Sequence, residues 1–236
     1  MSAKRHIVAM GGGGFSAGPG NLLMERFVLG LAGRPRPRAC FLAQASGDAQ
    51  AYVDRFLAAF GALPCEATSL SLFRPHTADL EGFLLSQDVV YVGGGNTRSM
   101  LALWREWGLD RILRAAWERG TVLAGLSAGM ICWFEEGVTD SVPGVLGPLP
   151  CLGFLKGSAC PHYDSEPGRR PNYQKLVGEG RMKPGYAADD GVGLHFIGDH
   201  LGEVVSERRN VRAWRVESGK GGPVESQLVP VYLGEA

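Results

Sequence analysis

The sequence lacks the cysteine patterns that bind metals or cross-link small secreted proteins. Its five cysteines are odd in number and widely spaced, and no two of them form a Cys-x-x-Cys pair. Neither a zinc site nor a disulfide framework is therefore predicted, and we expect no metal or other cofactor. Unpaired thiols are typical of a reducing compartment, so we expect a cytoplasmic location.

Long hydrophobic segments and an excess of one charge are also missing. The first 14 residues contain no apolar core of a signal peptide. No apolar run approaches the roughly 18 residues that suggest a membrane-spanning helix. Lys plus Arg and Asp plus Glu each number 24, so the formal net charge is zero and a basic nucleic-acid footprint is absent. We therefore expect neither a membrane nor a nucleic acid as partner.

Glycine, by contrast, is abundant, with 35 of the 236 residues, and it clusters directly after short apolar runs. Gly11–Gly14 and Gly93–Gly95 each follow such a run, and Gly125 and Gly129 flank the end of a third. Apolar runs that end in glycine and lead into helical periodicity are typical of parallel strands feeding helices. We predict strands near 6–10, 39–45, 88–93 and 121–126, and helices near 20–32, 49–60, 97–106, 109–119 and 128–135, with a break near Gly108.

The C-terminal third has a different pattern, in which short apolar runs alternate with Gly, Asp and Asn. That alternation is typical of strands joined by turns. No linker or internal repeat interrupts the chain. We therefore predict one α/β domain over residues 1–236, with a doubly wound, mostly parallel sheet and an extra β-rich C-terminal part. The short apolar runs of this C-terminal part are Val192–Ile197, Glu203–Ser206, Val211–Val216 and Leu228–Tyr232.

Residues 125–129 read Gly-Leu-Ser-Ala-Gly, which matches the G-x-S-x-G pattern. In this pattern a serine projects from a tight strand-to-helix turn, and small neighbours are needed because the turn is crowded and strained. The N–H of the next residue, Ala128, can stabilise a tetrahedral oxyanion at the start of the helix. Because the apolar context fits, we predict that Ser127 is a nucleophile; the alternative is a glycine-rich turn in which serine is merely small.

A serine nucleophile needs a base and an acid that orients the base. His162 is the favoured base because it lies among polar residues downstream of Ser127, and His195 is its main rival. Asp140 follows the nucleophile helix in a Thr-Asp-Ser turn and is the candidate acid, with Glu136 as the alternative. The later segment Asp189-Asp190-Gly191 is either a turn or an element that supports the site residues, and a turn is favoured.

The second glycine cluster, Gly93–Gly95, is followed by Asn96 and Thr97. Backbone without Cβ atoms lets a substrate approach closely, so the N–H of Gly95 is predicted to be a second oxyanion donor. A phosphate-binding loop would need a Lys-Ser/Thr pair after the glycines, which is missing here. Gly11–Gly14 likewise lacks the third glycine of a dinucleotide fingerprint.

Four motifs in this order resemble the peptidase E (α-aspartyl dipeptidase) and cyanophycinase family. They are Gly-Gly-Gly-Asn-Thr at 93–97, Gly-Leu-Ser-Ala-Gly at 125–129, Thr139-Asp140 and Pro161-His162. The match covers roughly residues 88–172, and Met10–Gly14 also fits. The resemblance implies a flavodoxin-like fold similar to class I glutamine amidotransferase domains. It also implies a metal-independent serine exopeptidase or dipeptidase that acts on short peptides.

On this resemblance, Ser127 is the nucleophile, His162 the general base and Asp140 the orienting acid. Gly95 and Ala128 supply the oxyanion hole.

We predict that Asn96 binds the substrate. The resemblance implies the same role for the arginines downstream of the histidine, Arg169 and Arg170. A guanidinium can hold a carboxylate through two hydrogen bonds, which suits a substrate with an N-terminal acidic residue. Asp164 and Glu166, in the same segment, would instead oppose an anionic substrate or attract a free amine.

Two other functions stay open at this stage. One is an esterase or amidase acting on non-peptide substrates, which the pentapeptide permits although a His-Gly-Gly motif is missing. The other is a non-catalytic binding domain on an amidotransferase-like scaffold. A homodimer is also left open, because the tryptophans could line either the core, which is favoured, or a dimer face; they are Trp104, Trp107, Trp117 and Trp133.

Overall fold

The computed structural model describes residues 4–18 and 20–235. The predicted domain of residues 1–236 thus includes Met1–Ala3, Pro19 and Ala236, which lie outside the described residues, and its extent stays a prediction. The strands are β1 (His6–Met10), β2 (Arg38–Leu42), β3 (Glu66–Ser69), β4 (Val89–Val92), β5 (Val122–Leu126), β6 (Phe134–Val142), β7 (Val145–Pro150), β8 (Leu155–Cys160), β9 (Gly185–Ala188), β10 (Val192–Ile197), β11 (His200–Ser206), β12 (Ala213–Gly219), β13 (Gly222–Leu228) and β14 (Val231–Tyr232). The α-helices are α1 (Leu23–Gly30), α2 (Gln50–Gly61), α3 (Leu80–Leu85), α4 (Thr97–Trp107), α5 (Leu109–Glu118), α6 (Ala128–Ile131) and α7 (Arg169–Gly178).

An eight-stranded sheet with the order β14-β11-β10-β1-β5-β4-β2-β3 lies at the centre of the described chain. The strands from β1 to β3 in this order are all parallel, whereas β10 joins β1 antiparallel. The carboxyl ends of β1, β5 and β4 therefore meet at one edge, where ligands bind in open α/β sheets. The predicted α/β class with a doubly wound, mostly parallel sheet is confirmed.

Both faces of β1 are buried from Ile7 onward, which explains why the sequence is apolar there rather than alternating. Val8 and Met10 pack in a core cluster with residues of α1 and α2. Ile7 and Ala9 point to the opposite face and pack in the cluster that contains residues of α4 and α5. Helices thus cover the sheet on both sides, and Ser127 lies at its edge.

A second, six-stranded sheet has the order β13-β12-β9-β8-β6-β7 and contains most of the strands after residue 133. The predicted β-rich C-terminal part is therefore confirmed. Within it, β6, β8 and β9 are parallel neighbours, so their carboxyl ends also meet at one edge. That edge faces Ser127, as the hydrogen bonds of the site show.

The helix predicted over 128–135 is wrong in its length, because α6 ends at Ile131 and β6 begins at Phe134. A short apolar run that is buried on all sides has no periodicity to separate helix from strand. Helix α7 was not predicted. It is mostly polar, and Pro171 lies in its first turn, where the missing N–H has no helical partner to lose. The break at Gly108, with φ of +69°, is confirmed.

Three of the four tryptophans named above are buried in the core, whereas Trp107 is 40% exposed. The core interpretation is therefore confirmed for Trp104, Trp117 and Trp133, and the homodimer stays a prediction. None of the helices in the described ranges is long and apolar enough to cross a membrane.

Candidate active site

Ser127 lies in a strained turn between β5 and α6, with φ of +56° and ψ of −112°. Residues other than glycine rarely adopt this backbone conformation, and close packing around the turn imposes it. A Cβ atom at Gly125 would lie 2.5 Å from the carbonyl oxygen of Gly129. A Cβ atom at Gly129 would lie 2.2 Å from the carbonyl oxygen of Val92. The two glycines of the pentapeptide are thus required by close backbone approach, as the sequence pattern predicts.

His162 meets Ser127 directly. Its Nε2 lies 2.9 Å from Ser127 Oγ, and it follows β8 by two residues. The backbone of His162 also has a positive φ, +52°. Ser127 and His162 thus both have strained backbone conformations, which persist only because the surrounding structure holds them in place.

The carboxylate at the other ring nitrogen belongs to Asp190, whose Oδ1 lies 2.7 Å from His162 Nδ1. The expectation that Asp140 orients His162 is thus corrected. Asp140 lies on β6 with a side chain that is 66% exposed, and its Oδ1 is 3.6 Å from Arg169 Nη2.

Sheet topology explains why Asp190 reaches the histidine. Strands β8 and β9 are parallel neighbours, with Cys160 opposite Ala187. His162 follows β8 and Asp190 follows β9, so both side chains emerge at the same edge. The chain order of the three residues is therefore serine, histidine, acid, and the hint in the sequence is the segment Asp189-Asp190-Gly191 directly after a short strand of small residues.

The two alternatives named from the sequence lie elsewhere. Glu136 Oε1 accepts a hydrogen bond of 2.6 Å from the backbone N–H of Lys183. His195 lies on β10, and its ring nitrogens are 2.9 Å from His6 Nδ1 and 3.0 Å from Glu203 Oε1. Both ring nitrogens of His195 are occupied, so it does not serve Ser127.

Asp190 is itself held in place by its neighbours. Its backbone N–H donates to Asp164 Oδ1 at 2.9 Å, and its carbonyl oxygen accepts from Arg208. Burial raises the pKa of Asp190, but hydrogen bonds from His162 and Ser165 and the charges of His162 and Arg208 outweigh it and lower the pKa overall. Asp190 is thus ionised and able to stabilise an imidazolium.

Backbone hydrogen bonds to Met10 and to the first glycine cluster hold all three parts of this constellation. The carbonyl oxygen of Met10 accepts from the N–H of Ser127 at 3.1 Å, and that of Gly11 accepts from the N–H of His162 at 3.3 Å. The carbonyl oxygen of Gly12 accepts from the N–H of Gly191, next to Asp190, at 2.9 Å. Gly11–Gly14 therefore binds its own chain, a role that the sequence analysis missed.

Two buried carboxylates hold the far end of this loop. Gly14 N–H donates to Glu207 Oε1 at 2.7 Å, and Phe15 N–H donates to Glu25 Oε1 at 2.8 Å. Burial raises the pKa of Glu25 to about 7, and it also raises the pKa of Glu207.

The predicted oxyanion donors have N–H groups free for a ligand. In the second glycine cluster, the N–H groups of Gly93, Gly94 and Asn96 donate to Leu42 O, Tyr52 Oη and Ala45 O. Among the described residues, the Gly95 N–H finds no protein acceptor, and neither does the Ala128 N–H at the first position of α6. A Cβ atom at Gly94 would lie 3.2 Å from Ser127 Cβ, so this loop passes directly beside the serine.

The three predicted substrate-binding residues have different surroundings. Asn96 Oδ1 caps α4 by accepting from Ser99 N–H, and its Nδ2 donates to the carbonyl oxygen of Ser141. Arg169 is buried against protein acceptors. Arg170 lies outside the cleft, where it makes an ion pair of 2.6 Å with Glu225 and stacks over Trp214.

These residues enclose a cleft of about 310 Å³ in front of the serine. Ser127 and His162 line it together with other polar and charged groups. The lining residues are Gly95, Asn96, Ser127, Asp140, Ser141, His162, Glu166 and Arg169. A hydroxyl in contact with an oriented imidazole, beside free N–H groups, can attack an acyl carbon and stabilise the resulting oxyanion.

The sequence pattern of Peptidase family S51 matches residues 7–204. "Uncharacterized peptidase YgaJ" of Bacillus subtilis (strain 168) is 54% identical over 230 residues, which cover 98% of this chain and 100% of that protein.

Two solved structures share the fold at low identity. A peptidase from an acI-B1 Actinobacterium has a TM-score of 0.72 at 15% identity, over 98% of this chain and 96% of that chain. A putative Peptidase E protein from Listeria monocytogenes EGD-e has a TM-score of 0.62 at 19% identity, over 87% and 99%. With a family pattern over most of its length and a relative that matches nearly end to end, this chain belongs to peptidase family S51, a family of serine peptidases, and is a hydrolase.

Proposed function

We propose that this protein is a serine exopeptidase that hydrolyses short peptides with Ser127, His162 and Asp190. The observation that carries the proposal is the continuous pair of contacts from Ser127 Oγ to His162 Nε2, 2.9 Å, and from His162 Nδ1 to Asp190 Oδ1, 2.7 Å. The cleft volume of about 310 Å³ lies at the lower end of the roughly 300–1,000 Å³ typical of small-ligand pockets, which favours a short substrate.

In the first half of the reaction, Ser127 Oγ attacks the carbonyl carbon of the scissile bond and its proton moves to His162 Nε2. The N–H groups of Gly95 and Ala128 donate to the oxyanion. The Asp190 carboxylate stabilises the imidazolium and keeps Nδ1 protonated. The C–N bond then breaks as His162 donates its proton to the leaving amine.

In the second half, water replaces the amine. The water oxygen attacks the acyl-serine carbon while His162 accepts a proton from the water. The second tetrahedral intermediate collapses, the C–O bond to Ser127 breaks, and His162 returns the proton to Ser127 Oγ. The products are a carboxylic acid and the regenerated serine, and every step uses the same oxyanion donors.

The surroundings of the protein's thiols support a cytoplasmic location, which is part of this proposal. All five cysteines are free, and four of them are buried. Such a set suits a reducing compartment.

The proposal is tested by hydrolysis of a dipeptide and tripeptide library with wild type and Ser127→Ala, in the presence of a chelator. We expect cleavage by the wild type and a loss of about 10⁴-fold or more in kcat for the variant. Ser86→Ala, the same substitution at the residue that follows helix α3, is the matched control. Turnover by Ser127→Ala at the wild-type rate would refute the mechanism.

A panel of chromogenic acyl esters and non-peptide amides, assayed in parallel, separates the peptidase from the alternative esterase or amidase. The peptidase requires that kcat/KM for the best peptide exceeds that for simple acyl esters of similar size. Efficient ester cleavage without cleavage of any peptide would favour the alternative.

A further inference from the structure

The arginine that lines the cleft together with Ser127 is already paired by the protein itself. Arg169 Nε donates to Glu166 Oε2 at 2.7 Å, and Nη1 donates to the carbonyl oxygen of Val138 at 3.0 Å. Its Nη2 lies 3.6 Å from Asp140 Oδ1, and the side chain is 4% exposed. The positive charge of this guanidinium is thus already offset by the carboxylates of Glu166 and Asp140, so it adds little attraction for a substrate carboxylate.

The carboxylates that pair with Arg169 are the groups that reach the cleft. The side chain of Asp140 is 66% exposed and that of Glu166 is 47% exposed, and both line the cleft with Ser127 and His162. Two carboxylates against one buried guanidinium leave this cluster with one negative charge in excess. Arg170 does not compensate, because it is paired with Glu225 outside the cleft.

The position of Glu166 relative to the base is fixed by the backbone. Its N–H donates to the carbonyl oxygen of His162 at 3.1 Å, so it lies one turn beyond the histidine. The N–H of Arg169 in turn donates to the carbonyl oxygen of Glu166 at 2.9 Å. The backbone of Glu166 is therefore tied to His162 on one side and to Arg169 on the other.

We infer, building on the proposed function, that Glu166 and Asp140 determine specificity: they select substrates with a protonated amine on the residue that precedes the scissile bond. A charge-assisted hydrogen bond from an ammonium group to either carboxylate stabilises such substrates. A carboxylate on the same residue is repelled, so N-terminal Asp and Glu are disfavoured. The amine is either the free α-amino group or the amine of a basic side chain, since both present the same chemistry.

Binding to the Ser127→Ala protein tests this inference without relying on turnover. Calorimetric affinities are measured for Lys-Ala, Ala-Ala and Asp-Ala, and for the N-acetylated forms of the first two. We expect Asp-Ala to bind at least about tenfold more weakly than Lys-Ala, which is the usual size of one charged contact. Adding Glu166→Gln should reduce that ratio about tenfold, whereas Glu179→Gln, an exposed glutamate at the end of α7, should leave it unchanged.

The acetylated peptides identify the amine. If acetyl-Ala-Ala loses affinity relative to Ala-Ala, and the loss depends on Glu166, the α-amino group is the one selected. If acetyl-Lys-Ala retains its advantage over acetyl-Ala-Ala, the side-chain amine is selected. Either result supports the inference.

Tighter binding of Asp-Ala than of Ala-Ala and Lys-Ala would overturn it, as would an unchanged ratio in the Glu166→Gln variant. A purely structural role of Glu166 would weaken all peptides equally. Failure of the wild type to hydrolyse any peptide would refute the proposed function instead, while these affinities would still decide the inference.

Discussion

Asp190 holds the ring of His162 by a contact of 2.7 Å between Oδ1 and Nδ1, across 28 residues of chain. The relationship depends on the parallel pairing of β8 and β9, which ends both strands at the same edge. It places the acid after the histidine in the chain and leaves Asp140 free to line the cleft.

The first prediction separates these two aspartates. Asp190→Asn should lower kcat by about 10³–10⁴-fold, because the amide favours the wrong histidine tautomer and cannot stabilise an imidazolium. Asp140→Asn should act mainly on KM and on the preference among substrates. Steady-state kinetics on the best dipeptide measures both, with Asp199→Asn in the distant β10–β11 turn as a matched control. A loss in kcat with Asp140→Asn that exceeds the loss with Asp190→Asn would restore the assignment made from the sequence.

The second prediction concerns Gly12, which lies against the histidine–aspartate pair. A Cβ atom there would stand 2.1 Å from Asp190 Oδ1 and 2.9 Å from His162 Cε1. Gly12→Ala should therefore displace the pair and lower kcat/KM by about 10²-fold or more, since misplacement by about 1 Å costs that much.

The control for Gly12 is Gly30→Ala, because a Cβ atom at Gly30 meets nothing within 4 Å. Gly30 ends helix α1, where alanine is expected to stabilise slightly or to have no effect. Both variants are compared by thermal unfolding and by kinetics. Equal activity of the two variants would contradict the role assigned to Gly12.

The third prediction is a pH dependence of stability that originates at Glu25. This side chain is fully buried, its Oε2 lacks a partner among the described residues, and burial raises its pKa to about 7 from an ordinary value of 4.5. A carboxyl group with a raised pKa contributes stability that is complete below pH of about 4.5 and is lost as the pH rises through about 7.

Glu25→Gln removes this titration. The free energy of unfolding of the variant minus that of the wild type should therefore rise by on the order of 3 kcal/mol from pH 5 to pH 8.5. Urea denaturation at about pH 5, 7 and 8.5 measures the difference, and Glu118→Gln, an exposed glutamate at the end of α5, controls for loss of charge. A constant difference between Glu25→Gln and wild type across this range would contradict the prediction.

The parts of the site that are local in sequence could be predicted from it. Ser127, its flanking glycines and the strand before them form one continuous segment, and the strain of that segment is encoded by residues within two positions of the serine. His162 was also found, because a histidine among polar residues directly after an apolar run indicates a strand end at the sheet edge.

The parts that depend on strand order could not be predicted. Whether Asp140 or Asp190 meets His162 is decided by the strand that lies beside β8, and periodicity does not reveal sheet order. The same holds for Arg169, whose pairing with Asp140 and with the carbonyl group of Val138 depends on a strand that is distant in the sequence. The predicted length of helix α6 was too long because the buried apolar run that includes Trp133 is compatible with both helix and strand.

The pairing of the first strand with one of the last has a consequence for the timing of biosynthesis. Strand β1 leaves the ribosome long before its antiparallel neighbour β10, which ends at Ile197, and the carboxylate that binds Gly14 belongs to Glu207. A nascent chain that has reached only His162 contains the serine and the base but lacks both the acid and the strand that secures the glycine loop. The candidate site therefore cannot assemble before the ribosome has passed Glu207, however early Ser127 and His162 are made.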